Sequence, residues 1–260
     1  MKDKIYLFAN WKMYLDFDES NILANGLAGE AKKFGHEIKM AIFPSTLSLY
    51  TAGQVLRDVG VGVGPQNVFW VDKGGYTGEI SASMYKTAGC DYALVGHSER
   101  RQQFHETNHE VRQKMDACLS VGLTPVLCVG ETLKEREAGT TAEVVEIQLR
   151  SALDNISWPK NVALIIAYEP VWAISKGAGA GEEGRHCDDI EAEKMHRLIK
   201  KIVKNLLPNM EPAVLFGGSV RPNTTAYYLN QPSIDGVLVG AASTKLDSWL
   251  EIVKNAGALV

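Results

Sequence analysis

The sequence predicts an α/β protein in which a single (β/α)8 barrel spans residues 1–260. Eight short segments rich in apolar and β-branched residues alternate with longer segments of helical periodicity. Strict alternation of strands and helices predicts a parallel sheet, which is either closed into a barrel or open and doubly wound. The chain has 260 residues, and a barrel of about 250 residues accounts for this length without a second domain. No linker-like change of composition divides the chain, so we expect the closed barrel.

The eight predicted strands are almost continuously apolar and do not alternate between apolar and polar residues. Parallel strands whose two faces are both covered have this composition. The predicted strands are residues 5–9, 39–43, 61–64, 92–96, 125–129, 163–168, 214–217 and 237–240.

Amphipathic segments lie between these strands. Three of them carry apolar residues spaced three and four positions apart, which places those residues on one face of a helix. The three sets are Val111, Met115, Cys118 and Leu119; Val145, Leu149, Ala152 and Leu153; and Met195, Leu198, Ile199, Ile202 and Val203. We expect each set to pack in the core.

Charge and cysteine usage exclude several functional classes. The net charge of −4 gives no electrostatic basis for binding nucleic acid or an anionic membrane surface. No stretch approaches the ~18 apolar residues of a membrane span, and the apolar run at residues 5–9 is too short for a secretion signal. The four cysteines are far apart and form no C-x-x-C pair. We therefore expect reduced thiols in a cytoplasmic protein, without a zinc cage.

Polar side chains follow three of the predicted strands directly. Asn10 and Lys12 follow the first strand, His97 follows the fourth, and Glu169 follows the sixth. Chemistry in a parallel barrel lies at the carboxyl ends of the strands. We therefore expect a lysine, a histidine and a glutamate to face one bowl.

Two Gly-rich turns at the same end of the barrel predict an anion site. One turn contains Ser219 after the seventh strand, and the other contains Gly240 and Ala241 after the eighth. Each opens a helix, whose first backbone N–H groups attract an anion. The combination suits proton transfer next to the carbonyl of a phosphorylated substrate, because a carboxylate can remove the proton while a cation and a hydrogen-bond donor stabilise the enediolate. No metal is needed if Lys12 and His97 supply that electrophilic function.

Two short motifs are interpreted as coincidental. Residues 105–109 match the zinc-protease pattern H-E-x-x-H, but Thr107 or Asn108 is the expected N-cap of the following helix, which leaves His105 outside it. Residues 179–184 match G-x-G-x-x-G, but they do not directly follow a strand and include two glutamates that would face a pyrophosphate. Neither a metal site nor a dinucleotide site is predicted.

Eight motifs, in order along nearly the whole chain, resemble those of the triosephosphate isomerase family. They are NWK (10–12), GPQN (64–67), YTGE (76–79), GHSERR (96–101), CVGE (128–131), AYEPVWAI (167–174), GGSV (217–220) and GVLVG (236–240). Each motif alone is weak, but a chance match of this many motifs in order is negligible.

The resemblance implies a TIM-barrel isomerase without a cofactor or metal. Its reaction interconverts dihydroxyacetone phosphate and D-glyceraldehyde 3-phosphate through an enediol(ate), in glycolysis and gluconeogenesis. By this resemblance Glu169 is the base that moves the proton between carbons. His97 is the electrophile at the carbonyl oxygen, kept neutral by a helix N-terminus, and Lys12 binds and polarises the substrate.

Further roles are implied by the same resemblance. Glu99 supports the pocket, and Thr77 reaches the active site of a partner subunit, which implies a homodimer. Apart from the resemblance, we expect Trp172 to anchor the hinge of the active-site lid by burial, with Glu131 as a partner for its indole N–H. The residues implied to bind the phosphorylated sugar are Asn10, Ser175, Ser219, Gly240 and Ala241.

The chain departs from the family pattern at the lid and beside it. The lid carries Ser175, Lys176 and Ala178 where the family has glycine, threonine and lysine, and about seven extra residues follow, including 182–185. Phe216 replaces a tyrosine whose hydrogen bond is worth about 0.5–1.5 kcal/mol, and Ala241 replaces a glycine. Alternatives therefore stay open: an isomerase of a four-carbon sugar phosphate such as erythrulose phosphate, or a catalytically silent barrel.

Overall fold

The structure is a computed structural model that describes residues 2–174 and 186–260. Every predicted strand is present, with bounds that differ by at most two residues at either end. The strands are Ile5–Asn10 (β1), Ile38–Phe43 (β2), Gly62–Val63 (β3), Tyr92–Val95 (β4), Thr124–Val129 (β5), Ile165–Tyr168 (β6), Ala213–Phe216 (β7) and Gly236–Val239 (β8).

Helices separate the strands along the chain. The α-helices are Phe17–Ala31 (α1), Thr46–Arg57 (α2), Ala82–Thr87 (α3), Ser98–Gln103 (α4), Asn108–Ser120 (α5), Leu133–Glu137 (α6), Thr141–Leu153 (α7), Asp189–Leu206 (α8), Pro222–Leu229 (α9) and Leu246–Gly257 (α10). Two short 3-10 helices, Val171–Ala173 and Ala241–Thr244, follow β6 and β8.

The sheet closes on itself. Its strands are ordered β3-β2-β1-β8-β7-β6-β5-β4, and each recorded pair of neighbours is parallel. Backbone hydrogen bonds join the two ends of this order, because Asp91 N–H donates to the Val63 carbonyl at 2.9 Å and Leu94 N–H donates to the Pro65 carbonyl at 3.0 Å. The closed barrel was predicted correctly, and the open doubly wound sheet is ruled out.

Closure gives every strand two buried faces. In β1, Phe8 belongs to the cluster inside the barrel, whereas Leu7 and Ala9 belong to the layer between strands and helices. All three side chains are inaccessible to solvent. The strands are apolar throughout because alternate residues enter these two different cores.

The helix α5 begins where the sequence predicted. Thr107 is its N-cap: the Thr107 hydroxyl accepts from Glu110 N–H, and the Glu110 carboxylate accepts from Thr107 N–H. This reciprocal cap satisfies two backbone donors at the helix start. His105 lies outside the helix with φ +56°, so the two histidines of the zinc-protease pattern do not share one helix.

None of the described helices combines the length and the apolar composition that a transmembrane helix needs. Within residues 2–174 and 186–260, no group of three or more His, Cys, Asp and Glu side chains is placed to hold a metal ion. The four cysteines are buried and free of disulfide bonds.

Candidate active site

A cavity of about 750 Å³ opens at the carboxyl ends of the strands. Asn10 and Lys12 reach it from β1, His97 from β4, and Glu169 from β6. The turns after β7 and β8 complete its wall. The side chains that the sequence placed in one bowl therefore share one cavity.

Glu169 is held at the floor of this cavity with 2% of its surface exposed. One carboxylate oxygen accepts the backbone N–H of Ser98 at 2.7 Å, and the other lies 2.9 Å from His97 Nε2. Burial alone would raise the pKa of this carboxyl. Electrostatic attraction to His97, the hydrogen bonds from His97 and the Ser98 N–H, and the nearby ammonium of Lys12 outweigh burial and hold the pKa below its ordinary range. The carboxylate is therefore ionised at neutral pH, which is the form required of a base.

His97 is the N-cap residue of α4. Its Nδ1 accepts the backbone N–H of Glu99 at 3.2 Å. A ring nitrogen that accepts a hydrogen bond carries no hydrogen, so this geometry assigns the hydrogen to Nε2 and makes the ring neutral. The carboxylate of Glu99 lies 3.8 Å from Nδ1, too far for a hydrogen bond. The Nε2–H group of His97 is thus a donor, and in this structure it faces Glu169 Oε1 at 2.9 Å.

Lys12 is held in an unusual backbone conformation, with φ +50°. A non-glycine residue in the left-handed region costs about 1–3 kcal/mol and is retained where surrounding contacts fix it. Its N–H donates to Asn10 Oδ1 at 3.0 Å, and its carbonyl accepts from Gln66 Nε2 at 2.7 Å. Its Nζ lies 2.7 Å from Glu99 Oε1. These contacts place a positive charge in the cavity wall beside His97.

The turns after β7 and β8 form another part of the cavity wall. Ser219, Gly240 and Ala241 all line it. The Ser219 hydroxyl donates to the Ala173 carbonyl at 2.8 Å, which ties the β7 turn to the 3-10 helix after Glu169. The first N–H groups of the 3-10 helix Ala241–Thr244 have no acceptor within that helix. They are therefore suited to bind an anion.

The 3-10 helix after Glu169 is held in place by hydrogen bonds to a buried carboxylate. Glu131, inaccessible to solvent, accepts the Trp172 indole N–H at 2.7 Å and the Tyr168 hydroxyl at 3.1 Å. The expected bond between Trp172 and Glu131 is thus present. Arg136 lies over the Trp172 ring at 3.9 Å and forms an ion pair with Glu191 in α8. A cation above a tryptophan face is attracted to it. Arg136 therefore helps to hold the Trp172 ring in place and links it to α8.

Comparison with known proteins settles the family. The sequence model of triosephosphate isomerase matches residues 5–256. The chain is 40% identical to the triosephosphate isomerase of Dictyoglomus thermophilum over 258 residues, which are 98% of this chain and 100% of that protein. It is 38% identical to those of Chloroherpeton thalassium (97% of this chain, 99% of that protein) and Aquifex aeolicus (94% and 96%). The chain belongs to the triosephosphate isomerase family.

Most of the residues implied by the family motifs meet at the cavity, but two of the described ones, Thr77 and Glu99, do not line it. Thr77 is exposed in the loop between β3 and α3 and is not part of the cavity wall. Glu99 reaches the site through Lys12, since its own side chain is not part of that wall. Ser175 lies outside the described residues, together with the other lid substitutions and the insertion at 182–185.

Three contributors to the site were not singled out from the sequence. Ser98 acts through its backbone N–H, for which no side-chain pattern exists. Gln66 supports Lys12 from a distant loop, although it lies inside a motif of the triosephosphate isomerase family. Gly217 leaves room for Glu169, since a Cβ there would lie 2.9 Å from Glu169 Cγ.

Proposed function

We propose that the protein is a triose-phosphate isomerase that interconverts dihydroxyacetone phosphate and D-glyceraldehyde 3-phosphate in glycolysis and gluconeogenesis. The observation that carries this proposal is the 2.9 Å contact between Glu169 and His97 in one cavity with Lys12. A four-carbon substrate and a catalytically silent barrel are not favoured, because the relatives at 35–40% identity are named triosephosphate isomerase over almost their full length.

The proton transfer follows from the chemistry of these groups. Glu169 removes a proton from the carbon next to the carbonyl, and the electron pair of that C–H bond forms the double bond of an enediolate. The Nε2–H of His97 donates to the oxygen on which negative charge develops, and the ammonium of Lys12 stabilises the same charge. A proton then passes from the hydroxyl oxygen of the enediolate to its charged oxygen, and return of the proton from Glu169 to the adjacent carbon completes the isomerisation. No metal or cofactor takes part in these steps.

The remaining site residues have supporting roles in this proposal. Glu99 positions Lys12 through the 2.7 Å ion pair. The phosphate is bound by main-chain N–H groups and hydroxyls at the positive ends of short helices. The residues proposed to bind the substrate are Asn10, Ser175, Ser219, Gly240 and Ala241.

The test of the catalytic assignment is Glu169→Gln, which keeps the size of the side chain and removes the base. We expect kcat to fall by about 10²–10⁴-fold, measured in a coupled assay with either triose phosphate. Glu143→Gln, at an exposed position on α7, is the matched control and keeps wild-type kcat. A Glu169→Gln enzyme with wild-type kcat would overturn the role of Glu169.

We also propose that one barrel domain, residues 1–260, assembles as a cytoplasmic homodimer. Large apolar side chains are exposed in the regions after the first three strands: Met13 (95%), Leu47 (73%), Tyr76 (46%) and Met84 (46%). Clustered exposure of this kind marks an interaction surface more often than isolated apolar residues do. Thr77 lies in the same region, which is where a residue that completes a partner's site would be needed.

A further inference from the structure

The cavity is larger than a triose phosphate requires. Its volume of about 750 Å³ is typical of pockets that hold drug-sized ligands, and a triose phosphate is much smaller. The catalytic side chains occupy one part of its wall. The other part, which we name the outer cavity, is lined by Arg221, Asn223, Thr244, Lys245, Ser248 and Glu251.

The outer cavity carries two cations that have no ionic partner among the described residues. Arg221 and Lys245 are both exposed, and within the described part of the chain no carboxylate lies within 4.0 Å of either charged group. Arg221 immediately precedes α9 and Lys245 immediately precedes α10. The positive ends of these two helices add to the same potential. Asn223 and Ser248 add neutral hydrogen-bond donors to the same wall.

The outer cavity adjoins the anion site of the proposed reaction. Arg221 is two residues beyond Ser219, and two residues of extended chain span at most ~7 Å. Lys245 is four residues beyond Ala241 along a 3-10 helix, a rise of about 8 Å. An open chain of five or six carbons with a phosphate at each end bridges separations of this size.

We propose that the outer cavity binds the second anionic group of an elongated phosphorylated ligand, an open-chain sugar bisphosphate. Its first phosphate occupies the site at Ser219 and Gly240. The inference rests on the proposed function, because it uses the same inner phosphate site. A ligand bound across both sites covers Glu169 and therefore competes with the triose phosphate.

The outer cavity also contains a negative charge, which allows a second test of the proposal. Glu251 lies on the same wall as Arg221 and Lys245, and its negative charge opposes a second phosphate. Removal of this carboxylate should strengthen bisphosphate binding, whereas removal of the two cations should weaken it. If mutations at the cavity mouth had only a general effect, they would change bisphosphate affinity in the same direction whichever charge was removed.

The experiment compares mannitol 1,6-bisphosphate with mannitol 1-phosphate, which differ only in the second phosphate. Each is tested as a competitive inhibitor of triose phosphate isomerisation, and its affinity is measured independently by calorimetry. In the wild-type protein we expect the bisphosphate to bind at least about tenfold more tightly at low ionic strength, because both contacts are charge-assisted. The advantage should shrink in high salt, since the cations are exposed.

Three variants locate the effect. The double variant Arg221→Gln/Lys245→Gln should reduce the affinity ratio to about two, the statistical factor for a ligand with two equivalent phosphates. Glu251→Gln should raise the ratio. Lys201→Gln, which removes an exposed cation on α8 outside the cavity, is the control and should keep the wild-type ratio.

The two proposals fail in different ways. A wild-type protein that isomerises triose phosphates, but binds the bisphosphate no more than about twofold more tightly than the monophosphate, overturns the outer site alone. A ratio that is unchanged in the double variant overturns the assignment to Arg221 and Lys245. Absence of isomerase activity overturns the proposed function, and the calorimetric ratio still decides whether the second phosphate has a site.

Discussion

Glu169 lies so close to β7 that position 217 has no room for a side chain. A Cβ on Gly217 would lie 2.9 Å from Glu169 Cγ and 3.2 Å from the Tyr168 carbonyl oxygen. The Glu169 side chain can move more easily than the backbone of β6. An added methyl group at 217 would therefore displace the carboxylate from the Ser98 N–H.

We predict that Gly217→Ala lowers kcat/KM by about 10²-fold, because a displacement of about 1 Å of a reacting group has an effect of this size. The measurement is a coupled isomerase assay, with circular dichroism to verify folding. Gly29→Ala in α1 is the control, since a Cβ there meets nothing within 4 Å. Wild-type kcat/KM in a folded Gly217→Ala enzyme would contradict the argument.

Phe216 has a packing role that was not predicted from the sequence. The sequence indicated only the loss of a tyrosine hydroxyl. In the structure the Phe216 ring is fully buried and stacks on Tyr228, with 4.1 Å between ring centroids. The Tyr228 hydroxyl donates to the Cys187 carbonyl at 2.8 Å. The ring therefore contributes to packing, and a neighbouring tyrosine links α9 to the segment before α8.

At the scale of one element, α8 buries a histidine that the proposed reaction does not use. His196 has no exposed surface, and its Nδ1 lies 2.6 Å from the Ala192 carbonyl oxygen. Its ring meets that of Tyr168 edge-on at 5.8 Å. Burial lowers the pKa of His196 to about 4, because the charged form loses its hydration. The imidazole is therefore neutral in the folded protein at pH 7.

This burial predicts a loss of stability in mild acid. The unfolded chain binds a proton at His196 from a pKa of about 6.5, whereas the folded chain does so only near a pKa of about 4. Protonation between these values favours unfolding, so the free energy of unfolding falls as pH falls from 6.5 to 4. At pH 5 the loss relative to pH 7 is about 2 kcal/mol.

Urea unfolding at pH 7 and pH 5, at one protein concentration, measures this loss. In His196→Gln the site cannot titrate, so the difference between the two pH values should be smaller than in the wild type by about 2 kcal/mol. Carboxylates that titrate in both proteins cancel in the comparison. Equal pH dependence in the two proteins would show that His196 is not responsible.

At the scale of the whole molecule, the exposed apolar residues after β1, β2 and β3 predict association. Sedimentation equilibrium at micromolar concentration should give about twice the chain mass of 28.5 kDa. Met13→Glu places a charge in the proposed interface and should shift the equilibrium toward monomer. Ile190→Glu, at a position 62% exposed on α8, is the control and should not. A wild-type protein that sediments as a monomer contradicts the proposal.

The eight strands, and the polar residues that follow three of them, were predicted from local sequence patterns. Continuous apolar strands such as 5–9 and 125–129 predicted two buried faces, and both faces are buried in the barrel. The positions of Lys12, His97 and Glu169 directly after strands predicted their convergence. Hydrophobic periodicity and position at the end of a strand are properties of a few neighbouring residues, so they can be recognised in the sequence alone.

The contacts that hold the site residues in place could not be predicted in this way. The donors to Glu169 come from the N-cap and the first residue of α4, and the side-chain amide that fixes the Lys12 backbone comes from the loop after β3. The cations of the outer cavity come from two separate turns. These contacts join residues far apart in sequence, and several use backbone groups that every residue possesses. Their partners depend on the closure of the barrel, which no local pattern specifies.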